Sequence, residues 1–180
     1  MRLKEEQIKH LAAKVYDGLV NQRLAILRKD QKDAGAAIAG AIRSDISREQ
    51  LLEQDAEKLL DSTIASIGQA GAEIDRRKML KMVKEKLARE RRIIIGETED
   101  RISNLSHEVL DALCRDGQVE LVDKGRALGS VKQTLTAFYR VAGEIDDAVR
   151  ARLRNRAQGS RDWEALYQKF YLEELARHKL

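Results

Sequence analysis

Ile8, Leu11, Ala12, Val15, Tyr16 and Leu19 recur at three- and four-residue spacing. That pattern lays one apolar stripe along a helix and places it from about Lys4 to Asn21. Glu5 and Glu6 fall in its first turn, where the helix dipole favours negative charge, and Gly18 and Asn21 weaken its end. The apolar character runs on from Leu24 to Leu27 before the polar pair Lys29 and Asp30. A second helical region begins near Asp33, with Ala36, Ala37, Ile38, Ala41 and Ile42 as a small-residue face suited to close helix approach. Ser47 and Gln50 have the spacing of a capping box, which predicts a fresh start or a bend around residues 44 to 48. Leu51, Leu52, Leu59, Leu60, Ile64 and Ile67 then carry an apolar face to Gly68 and Gly71, which end it. A basic helix follows from Ile74 to Arg92, with Met79, Met82, Val83 and Leu87 as its inner stripe. Ile93, Ile94 and Ile95 before Gly96 read as a short extended connector, because β-branched side chains disfavour helix.

The second half echoes the first. Ile102, Leu105, Val109, Asp111 and Leu113 repeat Ile8, Leu11, Val15, Asp17 and Leu19 at an offset of 94 residues. The alternating stretch Gln118 to Val122 makes a turn and a short extended piece. A long helix from about Arg126 to Asn155, through Val131, Leu135, Phe138, Val141, Ile145, Val149 and Leu153, answers the region after Asp33. Gly159 and Ser160 open a last helix, with Ser160 as its N-cap and Asp162 and Glu164 in its first turn. There, Trp163, Leu166, Tyr167, Phe170 and Tyr171 answer Met79, Met82, Val83, Lys86 and Leu87 at an offset of 84. The expected fold is all-α: two tandem, related three-helix units, residues 1–95 and 96–180, in an elongated two-lobed arrangement. Each unit buries a limited core, so the copies brace each other or the chain forms a homodimer.

Composition sharpens this picture in two ways. The chain of 180 residues has no proline and is 43% hydrophobic and 36% charged, as expected of a folded chain of long helices with polar outer faces. No apolar run is long enough to span a membrane, and the N-terminal stretch lacks the apolar core of a signal peptide. A single cysteine cannot form an internal disulfide, so a reducing cytoplasm is the expected compartment. The net charge of +4 is unevenly spread. Residues 76–92 carry nine Lys or Arg against two acids, and residues 150–161 carry five Arg and no acid, so the remainder is acidic. Such asymmetry points to nucleic acid, to an acidic partner, or to basic and acidic faces matched within the fold.

Candidate chemistry is sparse. Cys114 follows Leu110 and Leu113 and is expected as a buried, inert thiol. His10, His107 and His178 share no ligand spacing and are expected at the surface or at helix ends; no metal site and no cofactor is expected. Glu144, Asp146 and Asp147 put three carboxylates in one turn, with Arg140 and Arg150 in reach to pair with Glu144 and Asp146, so a structural role is favoured over catalysis. Arg76, Arg77, Lys81, Lys84, Arg91 and Arg92 are the nucleic-acid candidates, although no phosphate loop, zinc finger or stacking motif lies beside them. The last helix gathers four of the seven aromatics. Packing against Leu135, Phe138 or Val149 is their default use. The functional alternative makes Arg161, Trp163, Tyr167 and Tyr171 a partner-binding patch.

Met1-Arg2-Leu3 with the Ile8, Leu11 and Val15 stripe, Glu144-Ile145-Asp146-Asp147, and Gly159-Ser160-Arg161-Asp162-Trp163 with Tyr167, Phe170 and Tyr171 together resemble the bacterial domain of unknown function 507 family. The likeness covers essentially the full length. The family form has a proline shortly before the Gly-Ser pair, where Ala157 and Gln158 stand here. The resemblance implies a bacterial, cytoplasmic, all-helical protein and supplies no activity. The leading expectation is a non-catalytic protein-interaction or scaffold protein, not an enzyme. The alternative is RNA or DNA binding through residues 76–92 and 150–161 on one continuous basic surface.

Overall fold

The computed structural model describes residues 3, 5–28, 31–67, 75–96, 99–115, 119–154 and 161–178. In chain order these form α1 (Glu5–Asn21), β1 (Ala25–Leu27), α2 (Gln31–Ile67), α3 (Arg76–Glu90), α4 (Glu99–Cys114), β2 (Val119–Leu121), α5 (Lys124–Arg152) and α6 (Arg161–Arg177). The fold is all-α apart from a ribbon in which β1 pairs antiparallel with β2, Ile26 facing Glu120. The ribbon continues by one bond, from the Val122 amide to the Leu24 carbonyl at 3.0 Å.

α1 and α4 each pack against both long helices, α2 and α5. The main apolar cluster therefore draws on all four: Leu11 and Val15, Ile38 and Ile42, Leu105 and Leu110, Val131 and Leu135. Residues before and after position 95 share this core. Gly18 faces Ser130 of α5, where a Cβ would sit in ordinary contact with the hydroxyl at 3.4 Å. α3 lies along α2, and α6 lies along α5. A second cluster at the far end of α5 (Ile145, Val149, Leu153) receives Tyr171 and Leu175 of α6.

Two sequence expectations need correction. α2 runs unbroken through residues 44–48. Ser47 is exposed in mid-helix, where its amide already has a helical partner and the capping box has nothing to satisfy. The expected apolar face beyond it is also half as wide as read. Leu52 and Leu60 are buried while Leu51 and Leu59 stand in solvent, because adjacent helical residues diverge by about 100°. The expected N-cap Ser160, and the ends at Gly68, Gly71 and Ile74, lie outside the described residues.

One buried charge joins α2, α4 and the connector. The Arg101 guanidinium on α4 donates to Asp45 of α2 at 2.7 and 3.0 Å, to Glu49 of α2 at 2.6 Å, and to the Gly96 carbonyl at 3.2 Å. The Arg101 side chain is 10% exposed and that of Asp45 7%. Arg48 extends the cluster to both oxygens of Glu108 at 2.6 and 2.8 Å. Lys84 of α3 closes it from the other side, 3.5 Å from Glu49. Burial alone would push the Glu49 carboxyl up, but Arg101 and Lys84 outweigh it and hold that carboxyl below its ordinary value.

Removing Arg101 strips the buried Asp45 and the half-buried Glu49 of their nearest cation and leaves only the longer contacts to Arg48 and Lys84. Arg101→Met is expected to cost about 3 kcal/mol in urea unfolding. Arg101→Met combined with Asp45→Leu should recover part of the loss, because the stranded charge goes with its partner. A folded-state carboxyl held low stabilises the fold above the ordinary carboxyl range and loses that contribution as pH falls through its folded value. Stability should therefore drop below about pH 4.5, and Glu49→Gln should show a shallower drop from a lower plateau in thermal melts across pH.

Candidate interaction surface

α3 is the least buried of the helices against which it can be compared. Its sequence, RRKMLKMVKEKLARE, is mostly charged, and Ala88 is its one buried residue. Three cations crowd its N-terminus, Arg76, Arg77 and Lys78, against the sense of the helix dipole. Asp75 offsets them: as N-cap, its carboxylate accepts from the amides of Arg77 and Lys78 at 3.1 Å each. Contact with α2 is largely ionic. Arg76 meets Asp61 at 2.7 Å, Arg91 meets Asp55 at 2.6 Å, and Lys84 lies between Glu49 and Glu53. The expected inner stripe is corrected at one position. Met79, Val83 and Leu87 are half-buried on α2, whereas Met82 is 58% exposed and faces away.

The C-terminal end of α3 closes in a tight cap. The Ile93 amide reaches back to the Ala88 carbonyl at 2.9 Å and the Arg92 amide to Arg89 at 3.2 Å. This bonding pattern requires a left-handed residue between them, normally glycine, and here it is Arg92 at φ 54°. Arg23 holds the same conformation after α1, while Gly96 takes the second left-handed turn after α3, at φ 84°. The connector is thus fixed at both ends, by the cap at Ile93 and by Arg101 on the Gly96 carbonyl. Between them lies an open groove of about 380 Å³ with Ala88, Ile93, Ile94 and Ile95 along it and Arg89 and Arg92 beside it. Ile94 is 39% exposed. Among the described residues, Arg89 and Arg92 have no acidic partner, and neither do Arg77 and Lys78.

Of the nucleic-acid candidates, Arg76, Lys84 and Arg91 are tied to acids of α2, and Lys81 lies 4.0 Å from Glu85. Only Arg77 and Arg92 of that set stand clear. The other basic stretch is similarly engaged where it is described. Arg150 binds Asp146 at 2.7 Å, and Arg152 reaches Glu174 at 3.3 Å and lies 4.0 Å above the Phe170 ring. Residues 155–160 lie outside the described residues.

The aromatic stripe is mostly packed. Trp163, Tyr167 and Tyr171 stack in succession along α6, with ring centres 5.0 and 5.7 Å apart. Tyr171 is buried and meets the Gln7 amide nitrogen at 3.3 Å; Trp163 and Tyr167 are half-buried. The Tyr167 hydroxyl donates to Asp146, and burial together with that carboxylate pushes it well above its ordinary value. Packing is against Ile145, Val149 and Leu153; Leu135 and Phe138 belong to the main core instead. The backbone of Arg161 opens α6, and its side chain lies outside the described residues.

The remaining reactive groups do not assemble. Glu144 and Asp146 pair with Arg140 and Arg150, as their spacing implies. Cys114 is exposed, not buried: it ends α4 one step past Leu113, which takes the inward position. Partial burial of its sulfur, with Asp111 nearby, pushes the thiol up. His10 is half-buried on α1, not on the surface, and its Nε2 has no hydrogen-bond partner. Burial and Lys14 hold its imidazole below the ordinary range. A groove of about 520 Å³ between α2 and α4 has a floor of small residues, Gly40 and Ala41 among them, and the Arg48–Glu108 pair at its edge. Among the described residues, no three His, Cys, Asp or Glu side chains converge as a metal site would need.

Sequence reasoning missed Arg89 and Ile94 as surface partners. The available signal was positional. Met82, Glu85, Arg89 and Arg92 recur at three- and four-residue spacing, a face distinct from the one carrying Met79, Val83 and Leu87. Since Asp75 caps the basic N-terminus, accepting from the Arg77 and Lys78 amides, Asp75→Ala should cost about 1 kcal/mol. Hydrogen exchange should speed up within α3 and leave α4 and α5 unchanged.

No helix among the described residues is long and apolar enough to cross a membrane. No curated protein matches the chain. A family model described as "Protein of unknown function (DUF507)" matches residues 1–180, the whole chain, and the protein therefore belongs to the DUF507 family.

Proposed function

We propose that this is a non-catalytic, cytoplasmic protein-interaction protein that docks a partner on the outer face of α3 and the connector that follows it. One observation carries the reading. Met82 and Ile94 are exposed apolar side chains on the same segment as Arg89 and Arg92, two cations without acidic partners among the described residues. Apolar area ringed by arginine is the composition of protein interfaces. The aromatic stripe of α6 supports this role less well, because its polar atoms already have partners in Asp146 and Gln7.

The tandem repeat belongs to the same proposal. The ribbon pairs Ile26 with Glu120, residues 94 apart, the offset that relates α1 to α4. Buried Ala34, Ile38, Ile42, Leu52, Ala56 and Leu60 of α2 each have a buried counterpart 93 residues on in α5: Ala127, Val131, Leu135, Ile145, Val149 and Leu153. On this reading α3 and α6 are equivalent arms with different seats. α6 is held by aromatics in an apolar cluster, and α3 by ions, with its outer face left for a partner.

The alternative, nucleic-acid binding, draws on the same free cations. It is disfavoured because five of the nine cations in residues 76–92 already pair with carboxylates. Labelled structured RNA and duplex DNA titrated across a salt series separate the two. The expected result is no binding in the micromolar range at low salt; tight binding with a steep salt slope, lost in Arg77→Gln/Arg89→Gln/Arg92→Gln, makes nucleic acid the ligand instead. A photo-crosslinking amino acid in place of Met82 is expected to capture protein in cells, while one in place of the exposed Leu172 on α6 is not.

A further inference from the structure

We infer that the groove along Ala88 and Ile93–Ile95 receives an acidic amphipathic segment of a partner protein, with an apolar side chain on the isoleucines and carboxylates on Arg89 and Arg92. This rests on the reading of α3 as a docking face and specifies the chemistry of what docks there.

Three observations support that occupant. First, the groove is apolar along its floor and cationic at its edge. Among the described residues its one acid, Glu85, already lies 4.0 Å from Lys81, which leaves Arg89 and Arg92 as the uncompensated charges there. Complementarity therefore requires carboxylates on the visitor, spaced to flank an apolar residue. Second, the charge excludes the simplest alternative. A symmetric contact between two copies through this face would set Arg89 and Arg92 against their own counterparts. Third, Arg92 occupies a backbone position where glycine is the strain-free choice. A cation near a helix C-terminus is favourable, but Arg89 and Arg91 already supply it there. Arg23 holds the same conformation after α1, so the strain does not itself mark a site, but at Arg92 it sets a cationic side chain against the groove.

The visitor need not be pre-folded. A helix with apolar residues at three- and four-residue spacing, flanked by Glu, meets both requirements with one face. The isoleucine floor is rigid, because the connector is bonded at Ile93 and at Gly96, so little ordering cost falls on this side of the contact.

The test uses the full chain and a fluorescein-labelled peptide of about 18 residues, roughly five helical turns, with a Leu stripe flanked by Glu. Two control peptides exchange either Glu for Lys or Leu for Ser. The expected result is binding of the acidic amphipathic peptide at about 10 μM or tighter, with neither control binding. Arg92→Gly is the decisive variant. It should raise the melting temperature, since the strain is relieved, and weaken the peptide by about fivefold or more. Ile94→Asp should weaken it at least as far, with the circular dichroism of the helices unchanged. No binding of the acidic amphipathic peptide overturns the proposal, as does equal binding of the Ser control, or unchanged affinity in Arg92→Gly. Crosslinking at position 82 distinguishes the two levels. Protein captured there while the peptide fails retains the docking face and discards the acidic partner; failure of both removes both.

Discussion

The guanidinium of Arg101 lies where α2, α4 and the connector meet, and it bonds to all three. Taking a cation and two carboxylates out of water costs several kcal/mol for each ion, so the cluster stabilises the fold only because every partner is in place. Its value is positional. An apolar contact between α4 and α2 tolerates sliding, whereas a planar fork bonded to Asp45 and Glu49 fixes the register of the two helices. The same fork holds Gly96, and through Glu49 the cluster reaches Lys84 on α3. The connector that carries Ile94 is therefore tied at Gly96 to a buried charge.

Much of this fold was legible in the sequence, and the parts that were not share a cause. The stripe from Ile8 to Leu19 and the one from Val131 to Val149 gave helix, length and inward face together, because their apolar residues lie on one side only. The paired Leu51–Leu52 and Leu59–Leu60 could not disclose which of each pair turns inward. That depends on where α3 lies, and α3 is placed by ion pairs between residues distant in sequence. The capping box at Ser47 misled because a local signal was outweighed by packing immediately before it, at Asp45 and Ile46. The candidate surface was half legible. The basic stretch pointed to α3, but which cations are consumed by Asp55, Asp61 and Glu49 is a tertiary fact.

α3 and α6 show how two helices of similar length acquire different dispositions. α6 stacks Trp163, Tyr167 and Tyr171 and sinks Tyr171 and Leu175 into apolar surroundings. Its attachment is mainly apolar, with Arg152 pairing to Glu174 at its side. α3 buries a single alanine, half-buries Met79, Val83 and Leu87 on α2, and adds ion pairs that are mostly exposed, each contributing only a fraction of a kcal/mol to about one. Its attachment weakens as ionic strength rises. A helix seated in this way keeps most of its surface for other contacts.

The placement of α1 against α5 governs the order in which the chain can become itself. The two helices are separated by about a hundred residues, and the ribbon joins β1 to β2 over nearly the same distance. As the polypeptide leaves the ribosome, Leu11, Val15 and Leu19 emerge long before Val131 and Leu135 exist to cover them. Structure that forms early is limited to α1, α3 and α4 on α2; the core closes only when nearly the entire length has been made. Until then a leucine-rich stripe stands open to the cellular milieu, so this small helical protein matures late in its own synthesis, with the slow closure that distant pairing imposes.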